Sequence, residues 1–365
     1  MKFLTDFIND LSPEPIPQSQ GLNWLAEQHS ARSGIDTGKL RKMLDRFGCS
    51  PEQIQQRRVW LPEFFGLRSS SVFPIPPTKD QPQMEDRMRT YQLQMKQAVD
   101  NVYNNENQPP SHLLHVTCTG YASPSLAQAL VLEKKWPATI VQHIYHMGCY
   151  AAIPAVRTGS GILATAPDSS VDILHTEFCT LHANLQSTTP EQLVVQSLFA
   201  DACIRYKLVH EKPHGKKSLA VLASHEQLIP DSSSDMTWGM ANFGFSMTLS
   251  RDVPQKIAQH LKPFIETLFQ KAGLEIAELS KMTAAIHPGG PKIIDSLQSL
   301  LELRESQVAS SRKILYENGN MSSATLPFIW KDCLETEVEP ASPYILSLAF
   351  GPGLTIAGNI LCLKD

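Results

Sequence analysis

Short apolar runs alternate with segments of helical spacing along most of the chain from residue 111 onward. Residues 113–117, 138–145 and 171–179 form apolar runs of strand length, and each is followed by a segment whose apolar residues recur every three to four positions. Buried parallel strands joined by helices produce this pattern. The sequence therefore predicts an α/β fold with strands buried between helices.

The alternation occurs in two rounds. The first continues through a helix at 190–199 and a strand at 218–223. The second round opens with a helix at 253–272, which is flanked by Asp252 and Gly273. A strand at 282–287 is predicted to follow it. The remaining predicted elements are helices at 292–300, 302–318 and 322–334 and closing strands at 342–350 and 354–361. Two similar rounds indicate an internally duplicated, layered α/β fold.

The first 110 residues are more polar and contain two proline-rich stretches, at 12–18 and 73–78, that predict loops. Helical spacing predicts helices at 36–47 and 84–102.

Composition and charge exclude several classes of protein. The 365 residues are 42% hydrophobic and 19% charged with a formal net charge of −4, which gives no electrostatic case for nucleic-acid binding. No apolar stretch reaches the roughly 18 to 20 residues of a membrane span, and the N-terminus does not resemble a secretory signal. The seven cysteines are widely spaced without a CxxC pair, which predicts reduced thiols in a cytoplasmic protein. His143 and His146 have no acidic third ligand nearby, so no metal site is expected.

Cys149 lies where the apolar run 138–145 gives way to small residues and Pro154, a junction that predicts a buried strand followed by a helix start. Backbone N–H groups and the helix dipole at such a position favour the thiolate, the nucleophilic form of cysteine. The alternative is an inert cysteine in an apolar core.

Three later segments bear on this choice. His287 follows an apolar strand and precedes Pro-Gly-Gly-Pro, at the kind of strand end where α/β active sites gather, although a structural histidine is the ordinary alternative. Asn320, in Gly-Asn-Met-Ser-Ser-Ala, is also placed to cap the next helix. The run Phe350-Gly-Pro-Gly-Leu-Thr lacks the Lys and Ser/Thr of a phosphate loop, and its neutral interpretation is a tight turn.

Taken together, these four segments resemble the type III polyketide synthases, the chalcone synthase-like branch of the thiolase superfamily, over about residues 35 to 361. Cys149 and His287 are separated by 138 residues, and His287 and Asn320 by 33, as suits that family. The resemblance implies a thiolase-like, internally duplicated αβαβα layered fold. Its N-terminal half, 1–215, would carry the cysteine, and its C-terminal half, 216–365, the histidine and asparagine.

The resemblance further implies a catalytic triad. Cys149 would take its acyl group from a coenzyme A thioester or from a carrier-protein thioester, and His287 would lie beside the sulfur and hold it as thiolate. The His287 and Asn320 N–H groups would stabilise the enolate formed when malonyl-CoA loses carbon dioxide. Repeated two-carbon extension and cyclisation would give a pyrone, a resorcinol or a related ring. No cofactor or metal is implied beyond the coenzyme A substrates, and the protein is expected to be a homodimer.

Further residues follow from the resemblance. The expected substrate-binding residues are the gatekeeper Phe199, Met247 at or near a second gatekeeper position, the cations Lys39, Lys42 and Arg46 on one helix face toward coenzyme A phosphates, and the cavity glycines Gly290, Gly351 and Gly353. A core aromatic at Phe199 and a solvated basic face on the helix are the alternatives.

Departures from the plant enzymes fall around the cavity. Ala151 to Ile153 replace small glycines, Ala200-Asp201-Ala202 replaces Gly-Asp-Gly, and Ser123 replaces an interface methionine. These changes favour a bacterial enzyme with its own starter, such as a fatty acyl group. Three alternatives stay open: a ketoacyl synthase III-like enzyme that condenses once on an acyl carrier protein, a non-catalytic partner of the same fold, and a cysteine hydrolase.

Overall fold

The computed structural model describes residues 1–10, 15–61, 72–73, 82–336 and 342–365. Of the two proline-rich stretches expected as loops, 12–14 and 74–78 fall outside the described residues. The loop prediction is wrong for the end of the first stretch, where Ile16–Pro17 form β2 and Gln18 begins α1, because β2 pairs with β3 about 40 residues away.

The described strands are β1 (Lys2–Asn9), β2 (Ile16–Pro17), β3 (Gln56–Arg57), β4 (His112–Thr117), β5 (Ile140–Tyr145), β6 (Val171–Phe178), β7 (Asp201–Val209), β8 (Ser218–Leu228), β9 (Met236–Ala241), β10 (Gly244–Leu249), β11 (Thr283–Ile286), β12 (Tyr344–Gly351) and β13 (Thr355–Lys364). The described helices are α1 (Gln18–Ser33), α2 (Thr37–Phe47), α3 (Met84–Val102), α4 (Leu126–Glu133), α5 (Ala152–Thr165), α6 (Pro190–Leu198), α7 (Val253–Ala272), α8 (Pro291–Leu300), α9 (Glu305–Asn318) and α10 (Thr325–Glu335).

Most of the helices expected from residue spacing are present within a few residues of their predicted bounds. Helix α3 has the bounds predicted for it, and α2 begins after Asp36, whose side chain accepts a hydrogen bond from the Lys39 N–H. Helix α7 ends at Gly273, whose left-handed backbone (φ 69°) stops the helix as predicted. The helix expected at 322–334 is divided into a 3-10 turn, Ser322–Ala324, and α10.

Across the described residues one sheet joins nine strands in the order β11-β12-β13-β8-β1-β7-β6-β4-β5. Only β4 with β5, β4 with β6, and β11 with β12 pair in parallel among these strands, so the sheet is mixed. The central strand β1, between β7 and β8, was not predicted from the sequence, nor was β7. Its pairing is set by partners about 200 residues away, such as Val209 opposite Phe3, which a local apolar pattern does not reveal.

Strand β5 corrects one expectation. The sequence predicted a buried strand before Cys149, but β5 lies at the edge of the sheet and pairs only with β4 among the described strands. Most of its side chains are exposed or half-buried, and Ile140 is 54% exposed. An apolar run of strand length does not reveal whether a second layer covers the strand.

Two central helices position the candidate site. Helices α5 and α10 contribute to the same core, which includes Ile153, Val156, Ile329 and Trp330, together with residues of β4, β6, β7 and β12. Cys149 lies in the turn before α5, two residues ahead of its N-cap Ala151, and Ser322 belongs to the turn that leads into α10. The large apolar core thereby fixes the two chain segments that meet at the site.

Within the described ranges, no helix combines the length and hydropathy needed to cross a bilayer. The division into halves at residue 215 stays a prediction.

Candidate active site

Cys149 opens on a cavity whose walls come from several elements. The lining residues are Cys118, Thr119, Gly148, Cys149, Cys179, Thr180, His182, Ala183, Gln192, Val195, Gln196, Phe199, Met236, Thr237, Trp238, Phe245, Met247, Ser322 and Pro352. They come from the ends of β4 and β6, from α6, from the β9–β10 hairpin and from two later turns. Most of this wall is apolar, with a few polar groups near the sulfur, as in sites for small organic ligands.

A tight turn brings the Cys149 sulfur to the cavity. Gly148 adopts a positive φ of 81°, and a Cβ built on it would lie 2.4 Å from Pro352 Cδ. Tyr150, the residue after Cys149, packs so closely on Gly351 that a Cβ built on Gly351 would lie 2.1 Å from the tyrosine ring. Only glycine meets both demands, so the cysteine segment and the Gly-Pro-Gly turn fit each other through their glycines.

Cys149 is the one of the seven cysteines, all of them described, that is not fully buried. Its Sγ lies 3.7 Å from Ser322 Oγ. Burial raises the pKa of the Cys149 thiol to about 12, the Ser322 hydrogen bond opposes that shift, and the charge of Glu177 adds to it. The site therefore favours the neutral thiol, because desolvation outweighs the effect expected from the start of α5.

His287 follows β11 and is 1% exposed. Its backbone N–H donates to Leu348 O at 2.8 Å, which ties the Pro-Gly-Gly-Pro turn to β12. Among the residues that the structure describes, neither His287 ring nitrogen has a hydrogen-bond partner, and burial lowers the pKa of His287 to about 3. The ring is therefore neutral and does not hydrogen-bond Cys149, so the predicted thiolate–imidazolium pair stays a prediction. Two unpaired nitrogens on a buried ring are unusual and suit a site that completes its hydrogen bonds on binding a ligand.

Asn320 is buried and oriented by its own turn. Its Oδ1 accepts the backbone N–H of Ser322 at 2.8 Å and the hydroxyl of Thr325 at 3.5 Å. Its backbone pairs with the chain around Phe199, since its N–H donates to Leu198 O and its O accepts from Ala200 N. The N-cap of the 3-10 turn is Met321, so Asn320 does not have the capping role considered from the sequence, and its Oδ1 instead closes the turn to Ser322. Within the described chain Nδ2 donates no hydrogen bond, so it remains available to a ligand.

Ser322 links the asparagine to the cysteine. Its N–H donates to Asn320 Oδ1, while its Oγ lies 3.7 Å from Cys149 Sγ and 3.2 Å from Cys118 Sγ. Ser322 has a positive φ of 52°, which a non-glycine residue adopts only when its surroundings hold it there. The Asn320 hydrogen bond is one such restraint. The fold therefore joins three of the four sequence segments directly at Cys149, and the fourth, at His287, through β12.

The expected substrate-binding residues fall into two groups. Phe199 and Met247 both line the cavity. Lys39, Lys42 and Arg46 are exposed on α2 and do not line it. The glycines Gly290, Gly351 and Gly353 do not line it either, although Gly351 and Gly353 flank Pro352, which does. Gly148 is the glycine that shapes the cavity wall beside Cys149. Its position directly before Cys149 in the sequence could have identified it as a cavity residue.

Sequence reasoning missed several residues of the wall. Cys118, Cys179, His182 and Trp238 lie in or beside short strands and turns without a recognisable motif. His182 joins two of these segments, because its Nε2 bonds Thr119 O at 2.7 Å and its Nδ1 accepts the Phe245 N–H at 3.1 Å. Burial lowers the pKa of His182 to about 3, so the ring is a neutral support for the hairpin.

The described residues contain no cluster of three or more metal-ligating side chains. His143, considered as a ligand from the sequence, bonds Ser125 Oγ at 2.9 Å, and the His146 ring packs on Phe245 with centroids 4.9 Å apart.

The family model for the C-terminal domain of chalcone and stilbene synthases matches residues 220–363. The chain is 31% identical over 227 residues to Type III polyketide synthase A of Arabidopsis thaliana, an alignment that covers 60% of this chain and 56% of that protein. It is 30% identical over 258 residues to the alpha-pyrone synthesis polyketide synthase-like Pks18 of Mycobacterium tuberculosis, covering 68% of this chain and 64% of that protein. The chain thus spans only 56% and 64% of the lengths of these two curated relatives.

The fold resembles solved structures over its whole length. The crystal structure of PKS-I from the brown alga Ectocarpus siliculosus superposes with a TM-score of 0.85 at 21% identity, covering 100% of this chain and 98% of that one. The predicted thiolase-like α/β fold is confirmed by this similarity.

Proposed function

Because the chain belongs to the chalcone synthase-like type III polyketide synthases, we propose that it is an acyltransferase that extends an acyl starter, held on Cys149, with two-carbon units from malonyl-CoA. The observation that carries the proposal is the arrangement around one sulfur. Cys149 opens on an apolar cavity and is linked to Asn320 through Ser322, and the ring nitrogens of buried His287 have no partner.

The first step transfers the starter. The Cys149 sulfur loses its proton and attacks the thioester carbonyl of an acyl-CoA, a new sulfur–carbon bond forms, and coenzyme A leaves as its thiol. Because burial favours the neutral Cys149 thiol, a neighbouring base has to accept the proton as the sulfur attacks. His287, neutral and unpaired in this structure, is the base that the family resemblance implies.

The second step makes the carbon–carbon bond. Malonyl-CoA loses carbon dioxide, and negative charge develops on its thioester oxygen as an enolate. The unpaired His287 ring N–H and the Asn320 Nδ2 are the donors proposed to stabilise this oxygen. The enolate carbon then attacks the acyl carbonyl on Cys149, the carbon–sulfur bond breaks, and the extended chain remains as a coenzyme A thioester. Another round begins when the Cys149 sulfur attacks that thioester and coenzyme A leaves.

The cavity supports a hydrophobic starter and a short, folded product. Its wall includes Phe199, Met236, Trp238, Phe245 and Met247, which favour an acyl chain over a charged group. Repeated extension followed by ring closure to a pyrone or resorcinol-type product is proposed by analogy with the relatives, one of which is described as alpha-pyrone synthesis-like.

Delivery of the substrates is proposed to involve coenzyme A and two copies of the chain. Lys39, Lys42 and Arg46 form an exposed basic face on α2 that is suited to phosphates near the surface. The exposed edge strand β5, with Ile140 and nearby Tyr121 at 54% and 59% exposure, is a surface suited to a second copy in a homodimer.

A direct assay tests the function. The purified chain is incubated with a panel of acyl-CoAs and labelled malonyl-CoA, and products and protein-bound acyl groups are followed by mass spectrometry. We expect an acyl group on the Cys149 peptide and chain-extended products, both abolished in Cys149→Ala but retained in Cys362→Ala, which removes a cysteine remote from the cavity wall. Normal product formation by Cys149→Ala would refute the assignment of Cys149 as the nucleophile. Activity with malonyl-carrier protein alone, and a single condensation, would favour the ketoacyl synthase III-like alternative.

A further inference from the structure

The C-terminal end of α6 leads directly into the cavity wall and is closed by groups from distant parts of the chain. Helix α6 ends at Leu198, and Phe199, which lines the cavity, follows with an extended backbone (φ −74°, ψ 148°). The last carbonyls of a helix have no partner inside the helix and need donors from elsewhere. Here the donors are the side chains of Arg57 and Gln18 and the backbone of Asn320.

Every carbonyl oxygen from 196 to 199 accepts one of these hydrogen bonds. Arg57 Nη1 donates to the first and the last of them, at 3.0 and 2.7 Å. Gln18 Nε2 donates to the second at 2.7 Å, and the Asn320 N–H donates to the third at 3.0 Å. Arg57 Nε donates in turn to Gln18 Oε1 at 2.7 Å, so the two side chains act as one unit. The guanidinium therefore holds the chain on both sides of the point where α6 ends.

Arg57 is a buried cation placed against the negative end of a helix dipole. Its side chain is fully buried, and burial lowers the pKa of Arg57 to about 10, which leaves it charged near neutral pH. Within the part of the chain that the structure describes Arg57 forms no ion pair, and Asp201 is a nearby carboxylate whose charge opposes that shift. Burying a charge is costly unless its hydrogen bonds are made, so the place of Arg57 depends on the carbonyls at the end of α6.

Arg57 also packs against the turn that carries Asn320. A Cβ built on Gly319 would lie 2.9 Å from Arg57 Cγ. Phe199 and Asn320 form an isolated parallel bridge, next to which the Ala200 N–H donates to Asn320 O at 2.8 Å. The cavity residue and the amide donor are thus held in one register, with Arg57 beside both sides of the bridge.

We propose that Arg57 is a positioning residue that sets the spacing between the gatekeeper Phe199 and the donor Asn320. Arg57 does not line the cavity, and it acts through the carbonyls that it holds and through the bridge. Without the guanidinium, two carbonyls at the end of α6 lose their donor, which is costly for buried groups and favours a shift of Phe199. The inference rests on the proposed roles of Phe199 and Asn320.

The two half-reactions depend on this spacing to different degrees. Cys149 is held by its own turn, in which Gly148 fits against Pro352, and none of the hydrogen bonds of Arg57 reaches that turn. The Asn320 amide is the donor proposed for the enolate oxygen, and misplacing a catalytic group by about 1 Å can cost about 10²-fold in rate. Loss of the Arg57 guanidinium should therefore slow decarboxylation more than acyl loading.

Hydrogen exchange tests the coupling without any polyketide chemistry. The full chain is compared with Arg57→Met, which keeps an unbranched side chain without donors, and with Arg57→Lys, which keeps the charge but not the planar fork. Arg205→Met is the matched control, because Arg205 is also buried but pairs with Glu106 and does not line the cavity. Exchange of backbone amides is followed by mass spectrometry, and thermal melts report the stability of each variant.

We expect the peptides that contain the amides of Phe199, Ala200 and Asn320 to exchange about tenfold faster or more in Arg57→Met, because a lost charged hydrogen bond makes local opening easier. Arg57→Lys should give a smaller increase in the same peptides. Arg205→Met should leave their exchange unchanged, since these amides open locally.

The activity assay supplies a second measurement. Arg57→Met should decarboxylate malonyl-CoA about tenfold more slowly or more, while its loading of an acyl group on Cys149 stays within about twofold of the parent. A role for Arg57 in overall stability alone predicts that both rates fall together, as they would in Arg205→Met.

Parent-like exchange of these peptides in Arg57→Met, an equal increase in Arg205→Met, or equal losses of loading and decarboxylation would each overturn the inference. If Arg57→Met does not fold, Arg57→Lys decides it, because faster exchange confined to these peptides supports the inference and parent-like exchange overturns it. A parent chain that neither loads an acyl group nor decarboxylates malonyl-CoA would refute the proposed function. Parent-like exchange in an active Arg57→Met would refute the inference alone.

Discussion

Trp238 donates its indole N–H to the carbonyl oxygen of Cys118 at 2.6 Å, which locks the β9–β10 hairpin across the cavity. The same ring packs against His182 and Phe245, with centroids 6.0 and 5.7 Å apart. Together these rings fill much of the space beside Cys149, and the cavity that remains has a volume of about 50 Å³. The hairpin thus limits what can be bound next to the sulfur.

Replacing Trp238 by Gly should widen the substrate range. We expect the rate ratio of long-chain to short-chain acyl-CoA starters to rise about tenfold or more, because removed ring volume becomes available to additional methylene groups. The measurement is kcat/KM for a series of acyl-CoAs of increasing length. Met240→Ala, on the same strand but 66% exposed, is the matched control and should leave the ratio unchanged. An unaltered ratio in Trp238→Gly would contradict the assignment.

The Asn320→Asp variant tests the hydrogen-bond donor of the Asn320 amide separately from its acceptor. The aspartate retains an oxygen for the Ser322 N–H and the Thr325 hydroxyl, but it lacks the Nδ2 donor and adds charge. We expect the decarboxylation of malonyl-CoA to slow by about 10² to 10³, the usual effect of losing an oxyanion donor. Asn320→Ala should slow the decarboxylation by a similar factor and should also lower the melting temperature, because it removes the acceptor as well. Parent-like decarboxylation by Asn320→Asp would argue against a donor role.

Gly148→Ala should destabilise the protein. The residue has a φ of 81°, and its new Cβ would lie 2.4 Å from Pro352 Cδ, so we expect a loss of about 1 to 3 kcal/mol in the free energy of unfolding. Denaturant unfolding provides the measurement. Gly161→Ala, on the exposed side of α5 with no atom within 4 Å of the new Cβ, should instead be neutral or stabilising by up to about 1 kcal/mol. Similar values for both variants would be inconsistent with a strained turn at Gly148.

Acid should destabilise the fold between about pH 6.5 and pH 3. Burial lowers the pKa of four histidines from 6.5 to about 3, namely His115, His175, His182 and His287. The unfolded chain binds their protons first, so the stability they contribute is full above pH 6.5 and is lost as the pH falls toward 3. Burial raises the pKa of Asp172 to about 6 and of Asp201 to about 7. These two act in the opposite direction, and the four histidines outweigh them.

The free energy of unfolding, measured in denaturant at pH 7 and pH 5, should therefore be lower at pH 5. Added salt should not remove the difference, because salt screens exposed charges and leaves the desolvation of buried histidines unchanged. Equal or greater stability at pH 5 would show that the buried aspartates dominate.

The sequence alone was sufficient for the fold class and for the segments that meet at the site. Apolar spacing predicted α3 and α7 within a residue, since local periodicity determines which face of a helix is buried. The segments around Cys149, His287, Asn320 and Gly351 were recognisable because turns and junctions of this kind need particular residues in a short span. The strands β1, β7 and β5 show the limit of such reasoning, because their place in the sheet depends on partners far along the chain or on layers that cover them.

Only the tertiary structure could identify Cys118, Ser322, Glu177 and Trp238 as neighbours of Cys149. Up to about 200 residues separate them in sequence, and none stands out by type, because serine, cysteine and buried glutamate acquire a chemical role only from what they touch. The tertiary structure also determines the protonation of the two side chains, because desolvation favours a neutral Cys149 and a neutral His287. Burial is a property of the packed molecule, and a local sequence pattern does not determine it.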